Sequence, residues 1–413
     1  MPTATTNPTH PTPLKALIIG GGIAGPACAL FLHRAGIHST IYESHQFATN
    51  IGGALGLAPN GLRVLDSLGL ADKILEKASV MEEMTMRNHY GMTLGAFPTG
   101  KRSRYGFPSV LVHRSSVHET LVQATKEAGI TIEYGKKLLR VEETDEKVVV
   151  YFDDGTAVQG DILFGCDGIR STVRDHVLAF SGHEKREPHY TGLVGVGGFI
   201  PSSLVPNIDP EAEPPVIMTH GPSGIFAYGY LHAKNEWIWW STFEATEEQA
   251  RGDIRSMPDD ELLRKLFTKH GTWPSPIPEL IKAETGPMVR LPIYDVDPLP
   301  VWHSGRVVLT GDAAHAVAPH SGQGVSLALE DAAVLGKCLR KAGTEVRAAF
   351  VEYENARKAR VTMVVEEGRR RGQAKKEMGF IACWIRDIVM MVMAWWLTDS
   401  ALDEWFGYTV DGI

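Results

Sequence analysis

The sequence predicts an α/β fold: a parallel sheet flanked by helices, interrupted by an inserted, mostly antiparallel sheet and finished by further helices. Three observations lead there. Apolar runs at Leu17–Ile19, Gln159–Gly165 and Arg306–Thr310 read as buried parallel strands. Each is followed within a few residues by a glycine turn. From about 181 to 284 the pattern changes to strand-like runs separated by Pro, Gly and Asn.

The first strand runs into Gly20-Gly21-Gly22-Ile23-Ala24-Gly25. Gly20, Gly22 and Gly25 suit a tight turn, close approach to a pyrophosphate and close packing of a helix on the sheet, the Rossmann-like pattern. A helix is predicted from Pro26 to Ala35, and its amino end, with Ile23 and Ala24, offers N–H groups and a positive dipole end to phosphates. A second strand, His38 to Tyr42, ends at Glu43, placed to bind ribose hydroxyls. This stretch alone does not separate NAD from FAD.

Two later stretches do. The strand Gln159 to Gly165 leads into Cys166-Asp167-Gly168-Ile169-Arg170-Ser171, which sets Asp167 beside a pyrophosphate or its waters. Arg306 to Thr310 leads into Gly311-Asp312-Ala313-Ala314-His315, with Asp312 just past the strand end, where ligands of open α/β sheets collect. There it would accept hydrogen bonds from ribityl hydroxyls. Beyond Pro319, the run Ser321-Gly322-Gln323-Gly324 opens a helix predicted from Val325 to about Leu339, with Glu330 and Asp331 early in it. Amides at that helix start would face the flavin's nitrogen 1 and carbon 2 carbonyl, where the reduced ring carries negative charge. The three stretches together suit one FAD molecule.

With these motifs the chain resembles the class A flavoprotein monooxygenases, the family of para-hydroxybenzoate and salicylate hydroxylases and many fungal natural-product monooxygenases. The resemblance covers most of residues 14–375. Gly52-Gly53-Ala54-Leu55-Gly56-Leu57-Ala58-Pro59-Asn60-Gly61 resembles the family's second glycine loop near the ring system, which brings in Gly53, Ala54 and Gly56. His113-Arg114-Ser115-Ser116 resembles the segment whose arginine reaches the cofactor, so Arg114 joins the candidates. Pro319, Gly322, Gly324 and Val325 complete the cofactor set, and Arg357 to Arg360 resembles the basic stretch of the long helix that follows. The implied fold is a Rossmann-like, GR2-type FAD-binding domain with an inserted, mostly antiparallel β-sheet substrate domain and C-terminal helices.

The expected organisation is a disordered tail over 1–13 and a discontinuous FAD-binding domain over 14–75, 105–180 and 285–375. A substrate-binding sheet would take 76–104 and 181–284, with a helical segment over 376–413. A helix is predicted at Pro59 to Leu68, ended by Gly69, and another near Ser116, whose spacing to Glu119 reads as a capping box. Lys147 to Phe152 and Ala157 onward form a hairpin about Asp153-Asp154-Gly155-Thr156. Strands are expected at Gly192–Pro201, Pro215–Thr219, Gly224–Leu231 and Trp237–Glu244. A long helix should run from about Glu345 through Lys376, with Arg369-Arg370-Arg371 as a solvated face, followed by an apolar stretch from Ile388 to Leu397.

The resemblance implies an FAD-dependent monooxygenase that uses dioxygen and a transiently bound NADH or NADPH. Its substrate would be a small, largely apolar aromatic or alkenyl natural product, hydroxylated or epoxidised through a flavin hydroperoxide. Such chemistry needs a roof that excludes water. The inserted strands offer Phe226, Tyr228, Tyr230, Trp237, Trp239 and Phe243, and alternation places Phe226, Tyr228 and Tyr230 on one face. Tyr228 aligns with a tyrosine often set in the pocket of the fungal relatives, which makes it the catalytic candidate. Where many relatives carry a Trp-Arg pair, this chain has Val196 and Gly197, so the guanidinium is absent and a less polar cavity is expected. Arg102, Arg104 and Arg290 read as surface or domain-contact residues, and His315 and His320 as structural. A flavin-dependent reductase or dehydrogenase, or a halogenase, would share the fold. Trp237-Ile238-Trp239 is similar to the halogenase Trp-x-Trp element, but Ser241-Thr242 stand where Ile-Pro is expected.

Composition is consistent with an enzyme of this kind. A chain of 413 residues with 44% hydrophobic content buries a large core, and a net charge of −8 offers no footprint for nucleic acid. Cys28, Cys166, Cys338 and Cys383 lack metal-ligand spacing and read as reduced, buried thiols in a cytoplasmic protein with no metal site. No apolar run reaches eighteen residues, so no transmembrane span is expected. The apolar stretch near the end leaves open a helix on the cavity, a homodimer face or peripheral membrane contact.

Overall fold

The computed structural model describes residues 14–47, 52–396 and 399–411, so the tail expected over 1–13 and Leu397 lie outside the described residues. The parallel sheet has five strands, in the order Val307–Leu309, Ile162–Gly165, Lys15–Ile19, His38–Glu43 and Thr131–Tyr134. Ala16, Leu17 and Ile18 are fully buried in it, as are Ile162, Leu163 and Phe164. Both faces are covered, which is why these strands are apolar throughout instead of alternating. The single strand expected over Gln159–Gly165 is two. Ala157–Gly160 pairs into the predicted hairpin sheet with Val148–Phe152, the chain breaks at Asp161, and Ile162–Gly165 enters the parallel sheet. At the break Asp161 accepts the Lys15 main-chain N–H at 2.7 Å.

The helix after the first glycine turn spans Ala24–Arg34, beginning two residues before Pro26. Pro59–Ser67 ends ahead of Gly69, whose φ of +74° suits a glycine stop. The capping box at Ser116 and Glu119 does not form. That helix starts two residues earlier, at Arg114, because the Arg114 N–H donates to the Gly53 carbonyl at 3.0 Å and ties the helix start to the neighbouring loop. Ser116 is buried inside the first turn instead. Gly324–Ala342 and Val346–Gln373 are the two long helices after the third motif. Arg369 is not on a solvated face: its guanidinium forks onto Asp295 at 2.7 and 2.9 Å and also reaches Asp297.

The roof is a seven-stranded sheet in the order Val289–Asp295, His189–Pro201, Glu236–Glu244, Gly224–Leu231, Val216–Gly221, Glu83–Asn88 and Thr93–Pro98. Only the pairing of Val216–Gly221 with Glu83–Asn88 is parallel. The sheet thus takes in Val289–Asp295, past the residue 284 at which the insertion was expected to end.

The last long helix, Phe380–Trp396, is inverted. Cys383, Arg386 and Asp387 are its buried residues, while Phe380, Ile381, Trp384, Ile385, Trp395 and Trp396 are exposed. It packs on the roof edge so closely that a Cβ at Gly95 would sit 2.2 Å from the Ala394 Cβ. No single helix among the described residues is long and apolar enough to cross a membrane.

Candidate functional site

The three motifs meet at one hydroxyl. Thr310 Oγ1 lies 3.1 Å from Cys166 Sγ and 3.6 Å from Cys28 Sγ, so the strand ends before the second and third motifs and the helix of the first share a contact. The turns interlock as well. A Cβ at Gly20, where φ is +106°, would fall 2.3 Å from the Cys166 carbonyl oxygen, and one at Gly25 would fall 2.0 Å from the Gly20 carbonyl oxygen. Only glycine allows either approach. At Gly311 a Cβ would meet the Cβ atoms of Ala24 and Ala328 at 3.2 Å. In contrast, a Cβ at Gly22, Gly53, Gly168 or Gly322 would meet nothing within 4 Å. These four positions, one in each glycine turn, face open space.

Glu43 stands at the end of its strand and accepts the Gly21 N–H at 2.6 Å and the His45 N–H at 2.8 Å. Burial pushes its carboxyl up, but these bonds and those from the His45 and Ser44 side chains outweigh it and hold the group below the usual range. Asp167 is occupied differently from the sequence reading. Its carboxylate accepts Ser171 Oγ at 2.5 Å and the N–H groups of Thr172 and Val173 at 2.8 and 3.1 Å, anchoring the start of the helix Thr172–Phe180. Burial nevertheless raises its carboxyl. Asp312 opens onto the cleft, within electrostatic reach of Arg114, whose side chain lies against Gly52. Enclosure by protein raises the Asp312 carboxyl, opposed by His315 and Arg114.

A buried ionic network that sequence reasoning did not assemble fixes the third motif. Asp331, 0% exposed, accepts the Gly311 N–H at 2.9 Å, pairs with His315 Nε2 at 2.5 Å and accepts Arg357 Nε at 2.8 Å. Glu330 pairs with Arg357 and Arg360 at 2.7 and 2.8 Å and accepts Asn60 Nδ2 at 2.6 Å. Asn60 also donates to Gln323 Oε1 at 2.9 Å, which ties the second glycine loop to the third motif. The signal was two acids early in an apolar helix, since buried carboxylates require cationic partners. His118 was also missed: its Nε2 lies 2.7 Å from the Gly21 carbonyl oxygen, bracing the first turn from the helix Arg114–Glu127.

Ile23 is buried at the cap of the first helix and Ala24 is its first residue. Ala54 and Gly56 lie on the strand Ala54–Leu57, paired with Val110–His113 under the roof. Pro319 begins a single 3-10 turn, Gly322 follows with φ +66°, and Gly324 and Val325 begin the next helix. His315 is structural, as expected, through its bond to Asp331.

Tyr228 is not brought to this cleft. With Phe226, Tyr230, Trp237, Trp239 and Phe243 it packs into the outer core, against Leu262, Leu266, Leu280 and Ile281 of the helices that cover that side. Its hydroxyl donates to Glu213 at 3.2 Å and accepts from Arg87 at 3.3 Å, and burial pushes the phenol above its ordinary range. All six aromatic candidates share this outward position. The opposite face carries Met84, Met86, Met218, Ile225, Ala227 and Trp240. Next along it, Phe199 and Ile238 pack with Ala54 and Leu111, next to the second glycine loop. Gly197 is in register with Trp240, and a Cβ there would meet the Trp239 carbonyl oxygen at 2.6 Å. The neighbouring strand therefore closes in on Gly197 with Trp240. Arg104 forks onto Asp403 and Arg290 holds the Met257 carbonyl, so neither serves the cleft.

Residues 13–368 match the family described as FAD binding domain. The chain is 30% identical to the aurachin C monooxygenase/isomerase of Stigmatella aurantiaca, over 93% of this chain and 95% of that protein. It is 31% identical to the 6-hydroxynicotinate 3-monooxygenase of Bordetella bronchiseptica, over 85% and 89%. Among solved structures, HpxO of Klebsiella pneumoniae, complexed with FAD and uric acid, superposes with a TM-score of 0.80 at 26% identity, covering 94% of each chain.

Proposed function

From the premise that this chain belongs to the FAD-binding family of aromatic-ring monooxygenases, we propose that it spends NADH or NADPH and dioxygen on hydroxylating or epoxidising a small aromatic or alkenyl compound. The chain is an FAD-dependent oxidoreductase. The observation that carries the fuller reading is the pairing of the converging motifs at Thr310 with an apolar roof face of Met84, Met86, Met218 and Trp240. The similar proteins named above include one named for 6-hydroxynicotinate and one that binds uric acid, both planar rings.

Bound FAD, once reduced, supplies the activation of dioxygen. The chain's residues bind, orient and exclude water. In this reading the amides at Ile23 and Ala24, with the dipole of the helix they open, receive the pyrophosphate, and Gly20, Gly22 and Gly25 let it approach. Glu43 takes the adenosine ribose and Asp312 the ribityl hydroxyls, with Arg114 balancing charge beside Asp312. Asp167 acts by holding the helix start and the backbone next to Gly20. Gly53, Ala54 and Gly56 border the ring from the second glycine loop. Pro319 and Gly322 shape the turn that presents the amides of Gly324 and Val325, which favour negative charge on the ring. The methionine and tryptophan face keeps water from the reacting centre.

Asp312→Ala and Glu43→Ala are each expected to weaken FAD binding about tenfold or more, the scale of a lost hydrogen bond to a charged group. Flavin stoichiometry after gel filtration measures this, and full retention in both variants contradicts the assignment. Oxygen-18 dioxygen tests the reaction. Label in the product is the expected result, whereas a turned-over product without label belongs to a reductase or dehydrogenase. Halogenated product with chloride or bromide would favour the third chemistry, although Trp237 and Trp239 lie in the outer core.

A further inference from the structure

The helix Phe380–Trp396 turns its charges inward and its apolar side chains to the outside. Arg386 and Asp387 are its only charged residues, and both are buried against the roof edge. Arg386 pairs with Asp387 at 2.9 Å and donates to the Gly221 carbonyl at 3.3 Å, while Asp387 accepts from Asn88 at 3.2 Å. These contacts, with Ala394 against Gly95, fix the helix on the edge strands Glu83–Asn88 and Thr93–Pro98. Every side chain turned away from the roof is apolar. Trp384, Trp395 and Trp396 are 64%, 88% and 75% exposed, and beside them the hairpin turn after Asn88 exposes Tyr90 and Met92.

The size of this face sets it apart from ordinary surface. An aromatic side chain offers about 150–250 Å², so Phe380 and the three tryptophans alone expose on the order of 600 Å². The largest apolar patch on a typical monomer is about 300–600 Å² in all. Shape decides what covers it. Helical residues lie about 100° apart, so the exposed positions from Phe380 to Trp396 sweep roughly 220° of the circumference. A second copy of the helix would cover a stripe of about 100°. On a helix about 26 Å long and 10–12 Å across, that stripe is roughly 300 Å², against about 800 Å² per partner in a stable interface. Residues 1–13 bring Met1 as their one large apolar side chain, too little to cover the arc. A continuous apolar medium reaches all of it, and tryptophan near both ends is the composition of a helix lying at the boundary of headgroups and acyl chains.

We propose that Phe380–Trp396 docks the protein on a lipid bilayer, lying flat in the interface with Arg386 and Asp387 held on the protein side. The proposal goes beyond the monooxygenase reading and does not depend on it. Apolar burial drives the docking, because the outward arc carries no charge.

Flotation of the FAD-loaded protein with phosphatidylcholine vesicles tests this. The protein is expected to float with the vesicles equally at low and high salt, and lipid brominated in the acyl chains should quench part of its tryptophan fluorescence. Trp395→Ser with Trp396→Ser should lower the partition coefficient about tenfold or more, the scale of losing one buried large apolar side chain. Phe380→Ser with Ile381→Ser should do the same from the other end, in both cases with flavin content unchanged. Protein that stays out of the vesicle fraction, floats only with anionic vesicles at low salt, or binds undiminished in both double variants overturns the proposal. So does a dimer, seen by light scattering without lipid, that either pair of substitutions splits into monomers, since the face would then belong to a second copy. If one double variant loses flavin, the other variant and the bromine quenching of the unaltered protein decide.

Discussion

Asp331→Ala is expected to lower the stability of the FAD-loaded protein by about 3–5 kcal/mol and to release the cofactor. Its carboxylate holds three elements at once: the Gly311 turn, His315 and Arg357. Without it the Arg357 guanidinium keeps Glu330 as its one ionic partner among the described residues, and the turn that presents Asp312 loses its anchor. Burial alone would raise the Asp331 carboxyl, but His315 and Arg357 drive it well below the usual range. A carboxyl depressed in the folded state contributes its stability above the unfolded value of about 3.9, and that contribution is lost as pH falls toward the folded value. The gap between native and variant should therefore shrink below about pH 4. Denaturant unfolding across pH, with released flavin followed by fluorescence, measures both effects. An unchanged midpoint with tightly held FAD would contradict the role given to Asp331.

The second large effect is expected from the roof, where two substitutions should separate its faces. Trp240→Ala opens the inner face beside Gly197, and the share of NAD(P)H consumption ending as hydrogen peroxide should rise several-fold. Tyr228→Phe removes a hydroxyl bonded to Glu213 and Arg87 on the outer face. It should cost about 1 kcal/mol of stability and leave flavin content and coupling as they are. Peroxide yield against product yield checks the pair. Uncoupling by Tyr228→Phe with none by Trp240→Ala would mean the wrong face has been assigned to the substrate.

The cofactor turns were legible because each depends on its own local backbone. Gly20 and Gly25 are required by contacts shorter than any Cβ permits, and such requirements leave glycines at fixed spacing. The roof strands were legible for a similar reason, since alternation and turn residues are local. Their orientation was not. Alternation groups Phe226, Tyr228 and Tyr230 on one side, but which side meets the cleft is decided by where the helices Asp259–His270 and Ile277–Ala283 pack, and no short-range pattern encodes that. Trp240, one residue beyond the Trp239 singled out by sequence, has the inward position.

Long-range pairing explains the remaining differences. Asn60, Glu330 and Arg357 belong to three separate stretches and become one network only on folding. Arg369 read as solvated because Asp295, its partner, is more than seventy residues away. Ser116 had the spacing of a cap, yet the bond from the Arg114 N–H to the Gly53 carbonyl set the helix start first.

A crystal structure of the FAD-loaded protein tests the central claim most directly. The FAD complex is expected to hold the pyrophosphate against Gly20–Ala24, with Asp312 on the ribityl chain. It places the isoalloxazine between the amides of Gly324 and Val325 and the roof face bearing Met218 and Trp240. A ring lodged on the Tyr228 side of the sheet, or FAD held away from the junction at Thr310, would contradict it.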